Sequence, residues 1–146
     1  MADEKDLFEL IAANNEAALA IVKRDGYPQL SNIFYLWDPV ERIARITTTD
    51  QRVKARVLRR DPHAALYVRG PHFYSWAVAE GDAEVSEVTT TPGDAVAREL
   101  LPIYEMIGEA SDQDAIFARM IEERRLVIRL RVKRVYGMAL PANPRD

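Results

Sequence analysis

The 146-residue chain contains no cysteine, which excludes disulfide bonds and thiolate metal ligands. Its two histidines, His63 and His72, lie in different segments without ligand spacing, so we expect no metal site. No apolar run approaches the length of a membrane span, and the first residues do not resemble a signal peptide. We therefore expect a cytoplasmic protein. The net charge of −3 gives no reason to expect nucleic-acid binding.

The usual catalytic and nucleotide-binding motifs are also missing from the sequence. There is no G-x-S-x-G elbow, HExxH helix, Walker A loop or Rossmann glycine pattern. Glu80, Asp82 and Glu84 alternate along one predicted strand, which is typical of a solvated strand face. His72, near several aromatic residues, could be an acid or a base, but a lone loop histidine seldom is. A chain without a nucleophile suits a protein that positions a reactive cofactor.

Strands separated by tight turns, with helices between them, predict an antiparallel β-barrel with helical covers, a single domain over residues 1–146. Gly81 indicates a bulge in the fifth strand. The predicted strands cover residues 17–23, 28–37, 42–48, 64–69, 74–86 and 126–136. The predicted helices cover residues 6–13, a basic segment that ends at 61–62, a segment that opens at 91–94 with Pro92 at its first position, and residues 111–123.

The second predicted strand is apolar on both faces. One face carries Leu30, Phe34 and Leu36, and the other carries Ile33, Tyr35 and Trp37. A barrel interior covers only one of these faces, so the other needs a helix or a second subunit, and we expect a dimer.

The segment 47–60 joins a strand that ends in hydroxyl residues to a helix with five basic residues and no acidic one after Asp50. The spacing of Thr48 and Gln51 matches a capping box and predicts a helix start near residue 49 or 50. Lys54 then lies in or near the first turn. Free N–H groups and the helix dipole already make that end positive, so a cation there favours a bound anion.

A helical wheel separates the basic residues of this helix. One face carries four arginines: Arg52, Arg56, Arg59 and Arg60. Lys54 lies on the far side with Val57 and Leu58. A solvated face is the simpler interpretation for Arg59 and Arg60. For Lys54 the alternatives are an anion ligand and a lysine that extends from the rim of the core. The pattern favours the anion for Lys54 and Arg52 and leaves Arg56 open.

Two further groups could line a cofactor site. Gln29, Ser31 and Asn32 can offer hydrogen bonds to a heterocycle, and their strand is expected beside the one that ends in Thr47 and Thr48. Tyr74 and Trp76 alternate on one face of the fifth strand. They could stack on a ring, or pack in a core or an interface.

Four segments, in their order and spacing, resemble the split-β-barrel flavin and deazaflavin oxidoreductases, the pyridoxamine-phosphate-oxidase-like proteins. The resemblance is to the branch that uses the deazaflavin coenzyme F420, and it covers nearly the whole chain. The segments are Asp-Gly-Tyr-Pro-Gln-Leu-Ser-Asn at 25–32, Arg-Val-Lys-Ala-Arg-Val-Leu-Arg-Arg-Asp-Pro at 52–62, Ala-Val-Ala-Glu-Gly-Asp-Ala at 77–83 and Val-Tyr-Gly at 135–137. The resemblance implies an FMN-binding-like split barrel and a homodimer with two cofactor sites at its interface.

The resemblance also implies roles for particular residues. The basic junction would hold the cofactor phosphate, the strand-end hydroxyls would border the same tail, the polar residues of the second strand would lie beside the ring, and the aromatics would reach the site of the partner subunit. The implied cofactor-binding residues are Gln29, Asn32, Thr47, Thr48, Arg52, Lys54, Arg56, Tyr74 and Trp76. Val57 replaces an amide often found at its position. The C-terminal segment 139–146 lacks the arginine-rich pattern of the vitamin-oxidising branch, which argues against pyridoxamine phosphate as substrate.

The function implied is an F420-dependent reductase that passes a hydride to an electron-poor, conjugated small molecule, with no covalent catalytic residue. Two alternatives stay open. One is an FMN-dependent oxidase or reductase of the same fold, and the other is a non-catalytic flavin or deazaflavin carrier. The residues named would serve a catalyst or a carrier equally, and the acceptor cannot be read from the sequence.

Overall fold

A computed structural model describes residues 3–141 and shows a seven-stranded antiparallel sheet flanked by helices, which confirms the predicted barrel with helical covers. In chain order the elements are α1 (Glu4–Ala12), β1 (Glu16–Val22), β2 (Pro28–Phe34), β3 (Leu36–Asp38), β4 (Ile43–Thr49), α2 (Val53–Arg60), β5 (His63–Arg69), β6 (Ser75–Val85), α3 (Ala95–Met106), α4 (Gln113–Glu122) and β7 (Arg125–Ala139).

The order of strands in the sheet is β2-β1-β5-β6-β7-β4-β3. The strands β2 and β3 are therefore the two edges, yet only Tyr35 separates them along the chain. The edges must lie close together, and the sheet curls into a barrel that is split between β2 and β4. The prediction of one continuous strand over 28–37 is wrong. The strand β2 pairs with β1 and not with β4, which it faces only across the split.

Tyr35 fixes this crossing between the edges. Its side chain is fully buried, its hydroxyl donates to the carbonyl of Ile11 at 2.6 Å, and its amide donates to the carbonyl of Asn15 at 2.8 Å. Burial raises the pKa of the Tyr35 hydroxyl. These bonds attach the end of α1 to the point where the chain passes from one edge to the other.

Two hydrophobic cores lie on opposite sides of β7. Leu126, Ile128 and Leu130 face the barrel interior, as the alternation in the sequence predicts. Val127 faces the other way, into a second core formed with α3 and α4. Leu36 also packs against this second core, so, contrary to the prediction, it does not share a face with Leu30 and Phe34.

The bulge predicted at Gly81 is confirmed by a register shift between Glu80 and Gly81 in the pairing of β6 with β7. A Cβ atom on Gly81 would overlap the carbonyl oxygen of Arg131, so only glycine fits there. The acidic residues of β6 form ion pairs with β7 at the surface. The pairs are Glu80–Arg134, Asp82–Lys133 and Glu84–Arg131.

Asp94 caps α3, whose first residue is Ala95. The predicted helix start at Pro92 is wrong because the chain is still in a turn there, closed by the carboxylate of Asp94. Burial would raise the pKa of Asp94, but four hydrogen bonds outweigh it and lower that pKa to about 2. The donors are the amides of Thr90, Thr91 and Ala97 and the hydroxyl of Thr89.

We expect the free energy of unfolding to fall as the pH decreases from 5 towards 2, in part because of Asp94. Its pKa is lower in the folded protein than the ordinary value of 3.8, so its contribution is complete above pH 3.8 and is lost as the pH falls through about 2. Discounted for solvent screening, the contribution is about 1–2 kcal/mol. Urea unfolding of Asp94→Asn should show this loss at pH 5 and a flatter pH dependence. Asp112→Asn is the control, because the carboxylate of Asp112, which caps α4, accepts one hydrogen bond, from the amide of Ala115 at 3.1 Å. If the free energy of unfolding of Asp94→Asn changed with pH as steeply as that of the wild type, the assignment of this loss to Asp94 would be refuted.

Candidate cofactor site at the junction of β4 and α2

The helix α2 begins at Val53, later than the sequence predicts, and its N-cap Arg52 makes no side-chain capping bond. The capping box of Thr48 and Gln51 is wrong, because β4 continues to Thr49 and Thr48 is a buried strand residue. In the first turn of α2, the amides of Ala55 and Arg56 both donate to the carbonyl oxygen of Arg52. The N–H groups of Val53 and Lys54 are therefore left without a helical partner.

Lys54 is half-buried and crosses the split in the barrel. Its Nζ lies 3.3 Å from the hydroxyl oxygen of Ser31 on β2, to which it donates. Burial lowers the pKa of Lys54, and the positive charges of Arg52 and Arg125 lower it further. A desolvated ammonium close to other cations is stabilised by a bound anion.

The wheel prediction for α2 is confirmed. Val57 and Leu58 are buried on the side of Lys54, and the four arginines are exposed. They are not equivalent, however. Arg59 donates to Asp50 at 2.7 Å, and the second oxygen of Asp50 accepts from Arg124 at 3.1 Å, which lowers the pKa of Asp50. The N-cap Arg52 and the helix residues Arg56 and Arg60 form no ion pair with an acidic group within residues 3–141.

The structure separates Thr47 from Thr48. The hydroxyl of Thr47 lies 3.2 Å from that of Tyr104 on α3, whereas Thr48 is 3% exposed on the other face of β4. Successive strand residues point to opposite faces, so one face cannot present both hydroxyls to a ligand.

Gln29 and Asn32 also point to opposite faces, those of β2. Gln29 and Ser31 are half-buried, and Asn32 is exposed on the outer face with Leu30 and Phe34. Asn32 lines a cavity of about 460 Å³ that also contacts Phe34, Tyr67 and Arg69.

Trp76 and Tyr74 lie on and beside the outer face of the sheet. The ring of Trp76 stacks on Tyr67 with centroids 6.0 Å apart and meets Tyr136 edge-on at 6.2 Å. Tyr74 lies just before β6 and is half-exposed. Its ring meets that of Phe73 edge-on, with centroids 5.1 Å apart. Trp76 shares the outer face with Tyr67, whereas Ser31, the partner of Lys54, lies on the opposite face of β2.

The outer face of β2, β1, β5, β6 and β7 is an uncovered apolar surface. Leu30 is 68% exposed and Phe34 43% exposed, as expected for the outward side of the second predicted strand. The pairing continues this surface across the sheet, from Asn32 through Ala18, Tyr67 and Val78 to Tyr136. Such a surface is typical of a subunit interface.

A larger cavity, of about 630 Å³, lies elsewhere on the sheet and contacts none of the predicted site residues. Its basic side chains already have acidic partners: His63 has Asp61, Lys133 has Asp82 and Arg134 has Glu80. It therefore offers less to an anion than the junction of β4 and α2.

No cluster of acidic or imidazole side chains within residues 3–141 could bind a metal ion. In the same part of the chain, no helix has the length and apolar character that a membrane crossing requires.

The pyridoxamine 5′-phosphate oxidase family model matches residues 4–139, and the chain belongs to this family. The protein is thus a split-barrel member of a family of flavin- and deazaflavin-binding oxidoreductases.

Solved structures agree on the fold. The chain is similar to an F420 reductase at 24% identity and a TM-score of 0.68, over 88% of this chain and 94% of that one. It is similar to a conserved hypothetical protein from Mycobacterium tuberculosis at 20% identity and a TM-score of 0.75, over 98% and 91%. It is also similar to an FAD-binding protein from Mesorhizobium loti at 16% identity and a TM-score of 0.62, over 92% of each chain.

The residues at the junction of β4 and α2 fit the phosphate of such a cofactor. The first turn of α2 has no acidic residue, and the amides of Val53 and Lys54 have no helical carbonyl partner among the described residues. Arg125 belongs to this neighbourhood too, through its effect on Lys54. Sequence reasoning missed it because it lies on a different strand, 71 residues away by the numbering.

Proposed function

We propose that the protein is an F420-dependent reductase that acts as a homodimer and transfers a hydride from the reduced cofactor to an electron-poor conjugated small molecule. The observation that supports it most is Lys54, half-buried at a helix end that has free N–H groups and no acidic residue. That arrangement suits a cofactor phosphate, and membership of the family supplies the chemistry.

In this proposal Lys54 and Arg52 hold the phosphate, Arg56 extends the cationic surface, and the rest of the cofactor lies along the split of the barrel. Because the members of each pair point to opposite faces of their strand, one of Gln29 and Asn32 lies near its ring, and one of Thr47 and Thr48 borders its tail. The outward Tyr74 and Trp76 contact the cofactor held by the partner. The bound cofactor supplies the hydride, and the chain's own residues bind it, orient it and exclude water.

The preference for F420 over FMN rests on the arginines. F420 adds a tail of carboxylates to its phosphate, and Arg52 and Arg56, next to Lys54, are exposed without an ion-pair partner within residues 3–141. The F420 reductase among the similar structures points the same way. An FMN-dependent enzyme of the same fold is the alternative.

We expect F420 to bind more tightly than FMN by about one to a few kcal/mol, because it forms more charge-assisted contacts. Titration of the purified protein with each cofactor, followed by fluorescence at moderate salt, measures the difference. Tighter binding of FMN would refute the preference and leave the FMN alternative.

A single-turnover experiment distinguishes an enzyme from a carrier. Reduced F420 bound to the wild-type protein should be oxidised by a generic quinone such as menadione. The variants His72→Ala, Tyr74→Phe and Glu80→Gln should slow this step by on the order of 10²-fold or less, since no side chain forms a covalent bond. A variant that binds cofactor normally but abolishes the step would reveal a catalytic residue. If the wild type reduces no acceptor tried, the carrier alternative replaces the reductase.

A further inference from the structure

Arg125, the first residue of β7, lies beside the junction that carries Lys54. It is paired with Thr49, the last residue of β4, in the antiparallel register. Its carbonyl accepts a hydrogen bond from the amide of Thr89 at 2.9 Å. The start of β7 is therefore fixed next to the loop that leads into α2.

The guanidinium of Arg125 is only partly compensated. Its Nη2 atom donates to Glu123 at 3.2 Å, but its Nε atom is buried and has no hydrogen-bond partner within residues 3–141. Glu123 is shared, because its other oxygen, Oε1, lies 3.2 Å from Arg119 in an ion pair, although within residues 3–141 this buried oxygen also accepts no hydrogen bond. One carboxylate thus serves two guanidinium groups, and an orphaned buried donor of this kind calls for an explanation.

The preceding residue, Arg124, ties this turn to the junction. Its backbone has a φ of +55°, in the left-handed region that an arginine rarely adopts. Asp50 holds it there, with its amide donating to the carbonyl of Arg124 at 3.0 Å and its carboxylate accepting from the side chain. A left-handed residue directly after a helix C-cap is a common way for a helix to end, and here it sets the direction in which β7 leaves α4.

We propose that Arg125 is a third cation of the anion site, beside Arg52 and Lys54, and that the turn between α4 and β7 holds it there. The inference deepens the proposed function and rests on it. Among the described residues, Arg125 is the one cation of the three with a carboxylate partner, Glu123, and it shares that partner with Arg119. Three cations with so little compensation suit a phosphate that carries or adjoins a second negative charge. The lowered pKa of Lys54 is consistent with this, because the charge of Arg125 contributes to it.

Neighbouring substitutions should change anion affinity in opposite directions. Arg125→Gln should weaken the binding of inorganic pyrophosphate and of F420 roughly 10-fold, through the loss of one charge-assisted interaction. Glu123→Gln should strengthen both severalfold, because it removes the carboxylate that offsets Arg125. Arg125→Lys should restore most of the affinity. A purely structural Arg125–Glu123 pair predicts lower stability in both variants and higher affinity in neither.

Arg98→Gln is the matched control, since Arg98 is exposed on α3. This substitution should leave the affinity for pyrophosphate and for F420 unchanged. If Arg125→Gln does not fold, the double variant Glu123→Gln/Arg125→Gln removes both members of the pair, and its affinity should be below that of Glu123→Gln alone. An equal affinity would overturn the inference.

A second readout needs no ligand. NMR titration of the Lys54 side chain should show a higher pKa in Arg125→Gln than in the wild type. If Lys54→Ala weakens binding while Arg125→Gln changes neither the affinity nor this pKa, the inference fails and the proposed function stands. If no probe binds the wild type in a manner that depends on Lys54, both fail.

Discussion

Replacement of Lys54 with alanine is expected to weaken cofactor binding by roughly 1.5–3 kcal/mol, the range for a hydrogen bond to a charged group. The side chain lies in a poorly solvated position at the start of α2, and in the described part of the chain its one hydrogen-bond partner is the hydroxyl of Ser31. A phosphate would gain a charge-assisted bond from it, which alanine cannot supply. Titration with F420, followed by fluorescence, measures the loss.

The control for Lys54→Ala is Arg60→Ala. Arg60 is exposed on the outer face of the same helix, and its removal changes the net charge by the same amount. Arg59 is less suitable, because its ion pair with Asp50 supports the junction itself. Equal losses from both variants would mean that diffuse positive charge, and not the position of Lys54, governs binding.

Leu30→Glu should separate the two subunits. In a single chain Leu30 is already 68% exposed, and a surface substitution there should cost within about 0.5 kcal/mol. In the proposed dimer the outer face of the sheet is covered, and two unpaired carboxylates would be buried, at a cost of several kcal/mol. Sedimentation at micromolar concentration should show a dimer for the wild type. The variant should lose the dimer, and cofactor affinity with it, because Tyr74 and Trp76 no longer reach the partner's site.

Val40→Glu provides the matched control for Leu30→Glu. Val40 is 87% exposed, between β3 and β4 and away from the uncovered face. The dimer should survive this change. A Leu30→Glu protein that sediments like the wild type would place the interface elsewhere. A wild-type monomer with full cofactor affinity would refute the shared site.

Features of the fold that depend on local pattern could be predicted from the sequence. The alternation of Leu126, Ile128 and Leu130 defines the inward face of β7. Gly81 marks the bulge because a side chain there would meet the neighbouring strand. The wheel places Lys54 apart from the arginines because burial of Val57 and Leu58 fixes the rotation of α2.

Features that depend on distant contacts could not be predicted. The apolar pattern through Tyr35 is continuous, but the chain changes edge there because that ring is buried and bonded to the end of α1. The cap predicted at Thr48 fails because β4 continues through Thr49 by pairing with β7. The same pairing brings Arg125 to the site. The separation of Thr47 from Thr48, by contrast, follows from the two-residue period of a strand and could have been predicted.

A crystal structure of the protein with F420 bound tests the central claim most directly. The account predicts the phosphate within hydrogen-bond distance of Lys54 and of the free N–H groups at the start of α2, and the ring between β2 of one subunit and the partner's Tyr74 and Trp76. A phosphate bound instead in the cavity beside His63 and Lys133, or a ring contacted by one subunit alone, would contradict it.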